Sequence, residues 1–199
     1  SLENFVNDPS SAAFSWRNIE GGEDYNRSVT GLTFNSKKSK YTSSTTIFFK
    51  TFNNNENRPF NYLIEDSDSY GFRHIGKLQL SPFNVSYGLE YSYENYSFNT
   101  WDEYGTEDES IITHQTQKRK NYNFFFQLDR SFENSFLTFG IGSNKINYNW
   151  VEEINSTSFS YKTKTILSPR VSYNYNLNKS SIFANISHGF SSPNIDETL

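Results

Sequence analysis

The chain has 199 residues, a formal net charge of -4 and neither cysteine nor methionine. A disulfide framework and a thiolate metal site are therefore excluded, and the acidic balance gives no basic footprint for nucleic acid. Aromatic residues reach 18% while Ala and Leu are scarce, a composition that favours strands over a helical bundle or a disordered chain.

Taken in chain order, the sequence predicts about eight strands joined by alternately short and long connections. Ser1–Asp24 is polar and carries no basic stretch followed by an apolar run, so it does not read as an export signal. Strands are expected at Tyr25–Phe34 and Tyr41–Phe52, joined by a short turn at Asn35–Lys40. A longer polar segment, Asn53–Ser69, leads to a strand at Tyr70–Leu80 and a short turn at Ser81–Asn84.

The fourth strand, Val85–Trp101, alternates cleanly at first. One face reads Val85, Tyr87, Leu89, Tyr91, Tyr93; the other reads Ser86, Gly88, Glu90, Ser92, Glu94. Near Asn95 the parity slips and Tyr96 and Phe98 take the apolar positions, which suggests a bulge or emergence from lipid. A long segment, Asp102–Gln117, then precedes strands at Lys118–Arg130 and Phe136–Trp150. Between these two lies a short turn, Ser131–Ser135. In Lys118–Arg130, Tyr122, Phe124, Phe126 and Leu128 share a face. After Val151–Ser158 comes a strand at Phe159–Leu177, with Leu167, Val171, Tyr173 and Tyr175 opposite Ser168, Arg170, Ser172 and Asn174. A short turn at Asn178–Ser180 leads to the last strand, Ser181–Phe190.

Period-two alternation gives each strand one apolar and one polar face. Short connections on one side and long ones on the other are the mark of an outer-membrane barrel. No apolar run approaches the ~18 residues of a membrane helix, whereas several predicted strands exceed the ~9–11 residues that cross a bilayer. Two other architectures carry the same alternation. One is a complete eight-stranded outer-membrane barrel with a structural or adhesive role. The other is a soluble, glycan-binding β-sandwich with its apolar faces packed together.

The stretch LSPRVSYNYNLNKSSIFANISHGFSSPNIDETL resembles the TonB-dependent outer-membrane receptors. The matching residues are Ser168, Pro169 and Arg170 on one strand, then Ser187, Gly189, Phe190 and Pro193, with Asp196 and Glu197 beyond. His188 and Ser191 stand where the family often has arginine. Asn7–Arg27 and Glu56–Leu63 are similar to loop segments of Bacteroidetes-type receptors for iron complexes. The resemblance implies an all-β, antiparallel up-and-down meander. Residues 1–199 would form one incomplete barrel domain, a middle section of a roughly 22-stranded, plugged transporter. It further implies a bacterial outer-membrane location, a ferric siderophore or similar chelate as ligand, the lipid bilayer as surroundings, and a plug and TonB as partners outside this chain. On that reading the sequence was cut from a longer one.

No catalytic motif, cofactor or resident metal is implied. His74, His114 and His188 fall on different elements, and no nucleotide or hydrolase motif appears. The acidic run Asp102–Glu109 lacks the spacing of a calcium loop. By the resemblance, aromatic side chains and cations near outside strand ends would grip the chelate. The candidates are Arg17, Arg58, Tyr70, Trp101, Tyr104, His114 and Trp150, with Trp101 and Trp150 also suited to an interfacial girdle. Glu90, Glu94, Asp129, Arg170, Arg73 and Lys77 are expected on the inward face. So are Gly140 and Gly142, which would leave room for a neighbouring backbone or the plug.

Overall fold

The computed structural model describes residues 21–102 and 110–189. All nine strands belong to one antiparallel sheet. They are β1 (Gly22–Lys38), β2 (Tyr41–Asn57), β3 (Tyr62–Leu80), β4 (Phe83–Trp101), β5 (Ile111–Ser131), β6 (Ser135–Glu152), β7 (Thr157–Lys162), β8 (Ile166–Leu177) and β9 (Ser180–Ser187). Each pairs with its predecessor, except that β6 takes both β7 and β8. Among the described residues no second sheet covers either face, which removes the sandwich. β1 and β9 do not pair with each other, so this section does not close into a small barrel.

The register sorts every side chain to one of two faces. Pairing of Phe49, Tyr70 and Tyr93 across β2, β3 and β4 puts them on one face, with Leu89, Phe124, Leu167 and their row mates. Leu32, Ile47, Leu167 and Ile182 on this face are each more than half exposed. Apolar area on that scale, at about 25 cal/mol per Å², is not left to water. The opposite face carries Arg73, Glu90, Asn123, Asn144 and Ile166 along one continuous row.

The strands are longer than the alternation alone predicts. β1–β6 run from 17 to 21 residues. The expected connection Asn53–Ser69 shrinks to residues 58–61, Asp102–Gln117 gives way to strand from Ile111, and Val151–Ser158 reduces to 153–156. Runs of Asn, Asp, Glu and Ser in these segments interrupt the hydrophobic period. Cross-strand polar pairs hold them instead, with Asn53 Nδ2 donating to Asp66 Oδ1 at 2.6 Å and Asn54 Nδ2 to Glu65 Oε2 at 3.0 Å. At the other end the links stay tight: residues 39–40, 81–82, 132–134 and 178–179.

Two register shifts matter. The parity slip at Asn95 is not a bulge, because pairing with β3 and β5 continues unbroken through it. Below Tyr93 the apolar face is hydrophobic; above it the same face shows Asn95, Ser97 and Asn99. The strand has left the apolar layer. Its register slips only at Thr100/Trp101. The expected strand Phe159–Leu177 does contain a bulge. Residues 163–165 face only two residues of β6, between the Asn147↔Lys162 and Asn144↔Ile166 pairs. Thr163 stitches the gap: its Oγ1 accepts from Ile146 N at 2.8 Å and its backbone N donates to Ile146 O at 2.9 Å. The extra residue inverts the faces, so Phe159 and Tyr161 pair with Trp150 and Tyr148 on the polar side.

Candidate functional site: the polar face

Beneath Tyr93 the apolar face forms a belt from Phe83 to Tyr93 on β4, matching the about 9–11 residues of a membrane strand. Its upper rim is aromatic. Tyr70 and Tyr93 lie 5.1 Å apart by ring centroids and Tyr91 and Tyr122 5.2 Å. Rings at that level are the girdle expected where hydrocarbon meets headgroups. The belt contains one imidazole, His74, whose Nδ1 is 2.8 Å from Thr45 Oγ1, so it is satisfied within the sheet rather than solvated.

On the polar face, β1–β5 line a groove of about 440 Å³. Its cations are Arg27, Lys50, Arg73 and Arg119; its acids are Glu90 and Glu94. Arg119 Nη2 lies 2.5 Å from Glu94 Oε2, and Arg73 is ion-paired with Glu90. Arg27 and Lys50 have no acidic partner among the described residues, and the Lys50 ammonium stands 5.1 Å from the Phe48 ring centre. The groove thus carries uncompensated positive charge beside the aromatic Phe48 and Phe52. Such a surface suits an anion with apolar parts.

Small residues shape this face. A Cβ on Gly71 would meet Tyr91 O at 2.3 Å, and one on Gly88 would meet the Phe125 ring at 2.2 Å. Within the sheet, Gly140 makes room for the Arg170 side chain rather than for a neighbouring backbone; its Cβ would reach Arg170 Nε at 2.7 Å. Gly142 has ordinary space. Arg170 reaches Gln127, whose Nε2 donates to Asp129, and Asp129 also accepts from Thr138 Oγ1 at 2.7 Å. Glu90, Glu94, Asp129, Arg170, Arg73 and Lys77 all fall on the polar face, as their parity predicts.

Higher on the same face the lining turns aromatic, with Tyr96, Phe98, Tyr148, Trp150, Phe159 and Tyr161. Phe159 and Tyr161 stack with centroids 6.3 Å apart. Tyr96 hydrogen-bonds Glu65, and burial, then that bond, push its phenol above the ordinary range.

The sequence-derived candidates scatter. Trp150 lies in the upper aromatic lining, its Nε1 donating to Gln115 Oε1 at 3.2 Å. Arg58 sits in the 58–61 link and is held by Glu56 at 2.5 Å. His114 Nδ1 is 3.4 Å from Glu153 Oε2. Tyr70 faces the apolar side in the girdle, and Trp101 has the same parity at the register shift. Arg17, Tyr104, Phe190 and Pro193 lie outside the described residues. Ser168, Pro169 and Arg170 are on β8, and Pro169 O accepts from His188 N at 3.0 Å, beside Gly189. Sequence reasoning missed Arg27, Lys50 and Arg119. The signal was present for Arg119, which shares parity with Asn121 and Asn123, but Lys118 and Lys120 mask it.

Comparison with known proteins agrees with this arrangement. The family model described as TonB dependent receptor-like, beta-barrel matches residues 3–199. No curated protein matches the chain. Among solved structures, the copper transporter OprC aligns with a TM-score of 0.75 at 13% identity, covering 88% of this chain and 32% of its own. The ferric citrate transporter FecA in its unliganded form gives 0.66 at 13%, covering 82% and 27%. The ferric yersiniabactin uptake receptor FyuA from Yersinia pestis gives 0.61 at 7%, covering 83% and 28%. At these identities the likeness is one of fold, and the chain spans about a third or less of each structure's length. The chain belongs to the TonB-dependent receptor β-barrel family, whose members are outer-membrane transporters of Gram-negative bacteria and not enzymes.

Proposed function

We propose that residues 1–199 are one section of the barrel wall of a receptor that imports a ferric siderophore or similar iron chelate. Transport would be energised by TonB acting on a plug that fills the lumen. The apolar face meets lipid and the polar face meets plug and ligand. The observation that carries the ligand class is the pair Arg27 and Lys50, cationic and without acidic partners, beside Phe48 and Phe52. A bare metal cation would be repelled there. An iron complex bearing carboxylate or hydroxamate-like oxygens would find charge-assisted donors and aromatic contact area.

The test uses the intact receptor and ferric citrate as the probe anion. The double variant Arg27→Gln/Lys50→Gln is expected to weaken binding by about tenfold or more, given ~1.5–3 kcal/mol for a hydrogen bond to a charged group. Binding should also weaken with salt. Unchanged affinity in the variant would remove the groove from ligand capture. Energisation is checked separately, by uptake of radiolabelled iron chelate in cells with and without TonB.

A further inference from the structure

We infer that Lys37 and Lys77 form a second anion-binding site, at the periplasmic end of the lumen, which receives the ligand anion after it leaves the upper groove. Both lysines carry inward parity and flank Thr42 on its two neighbouring strands. A strand spacing of about 4.8 Å sets their backbones about 10 Å apart, so two long side chains can close on one anion above the Thr42 hydroxyl. A hollow of about 340 Å³ opens there, lined by Asn35, Lys37, Thr42, Ser44, Ile75 and Lys77 among others. Both lysines are exposed, and neither has an acidic partner among the described residues. The tight links at 39–40 and 81–82 put this hollow at the periplasmic end.

The hollow ends a strip of wall that differs from its neighbours. Along 27–37 of β1, 42–52 of β2 and 67–77 of β3, no inward position holds a carboxylate. Adjoining β4 and β5 carry Glu90, Glu94 and Asp129 instead. Among the described residues, uncompensated cations of the strip therefore sit at its two ends, Arg27 and Lys50 above and Lys37 and Lys77 below. Arg73, midway, is neutralised by Glu90. Gly31, Thr33, Ser44, Thr46 and Gly71 keep the surface between the ends small. From Lys50 to Thr42 the strand covers about 27 Å at ~3.4 Å per residue. An anion drawn to the mouth would stay there if that were its only counter-charge. A separate cationic station below, with a neutral stretch between, lets it leave one site for the next.

The inference rests on the iron-chelate reading for the identity of the anion, and its test separates the two. Crystals of the intact receptor soaked in selenate should show anomalous density between Lys37 and Lys77. That density should be absent from Lys37→Gln/Lys77→Gln and from Thr42→Glu, which sets a carboxylate between the lysines. In cells, the double lysine variant should import radiolabelled ferric citrate about tenfold more slowly at saturating ligand, while capturing it at equilibrium as wild type does. Lys38→Gln, the next residue and outward-facing, should match wild type in both assays. Heat-modifiability of each variant verifies assembly. Uptake at the wild-type rate by the double variant overturns the proposal. So does a wild-type site without selenate, a plug carboxylate bound to Lys37 or Lys77, or density that persists without the lysines. Selenate held there by a receptor that fails to capture ferric citrate upholds the anion site and counts against the iron-chelate reading.

Discussion

The lower and upper halves of this wall are built from the same strands under opposite rules. Up to Tyr93, β4 sees hydrocarbon on one side and a polar interior on the other, and its side chains alternate accordingly. Above Tyr93 the outward side chains are Asn95, Ser97 and Asn99, while the inward ones become Tyr96 and Phe98. Hydrophobicity has moved from the outer surface to the inner one without a break in hydrogen bonding. Strand structure thus persists where the solvent difference that patterns it does not. In the lower half burial in lipid holds the sheet; in the upper half ladder bonds and side-chain pairs such as Asn54–Glu65 take over.

The largest test of this division places a lysine at three neighbouring points in the intact receptor. Leu89→Lys, outward and near the middle of the belt, is expected to cost ~2–4 kcal/mol and to reduce heat-modifiable receptor in the membrane. Ser97→Lys, outward but above the rim, and Ser92→Lys, at belt height but inward, should assemble close to wild type. Equal assembly of all three would erase the boundary. A second test concerns packing within the belt region. Gly71→Ala must displace Tyr91 O and should cost about 1–3 kcal/mol, whereas Gly142→Ala meets nothing nearer than 3.8 Å and should be nearly silent in a denaturant melt.

Two smaller effects sharpen the upper half. Thr163→Val keeps the shape but leaves the Ile146 amide without its 2.8 Å side-chain acceptor. A loss of ~1–3 kcal/mol is expected, with faster amide exchange on upper β6. Tyr96→Phe removes the bond to Glu65 and should cost about 1 kcal/mol. Its pH signature is more telling than its size. The folded phenol titrates above its unfolded value, so its contribution is complete below about pH 10 and is lost as pH rises further. Phenylalanine there should flatten the alkaline loss of stability; an unchanged alkaline limb would place Tyr96 in free solvent.

What the sequence made legible follows the same boundary. The faces of Val85–Tyr93, Tyr122–Leu128 and Leu167–Tyr175 could be read directly, because lipid on one side enforces period two. So could the tight turns and the inward placement of Glu90, Arg170 and Asp129. The extended ends look like loops in the sequence, since Asn53–Asn57 and Glu65–Asp68 carry no hydrophobic contrast. The bulge at 163–165 was hidden for a different reason. Lys162, Thr163, Lys164 and Thr165 alternate perfectly as letters, and only pairing with Ile146 reveals the extra residue. The site fared worst. Groove residues Arg27, Lys50 and Arg119 come from three strands far apart in sequence, and the register alone gathers them.

The supernumerary residue held by Thr163 has a wider consequence. Everything distal to it on that strand is readdressed, with rings turned to the lumen and Lys162 turned to the surroundings, while the transmembrane portion keeps its partners. One codon's worth of chain at this height therefore exchanges the mouth's inner decoration for its outer one, and leaves the lipid seal beneath untouched.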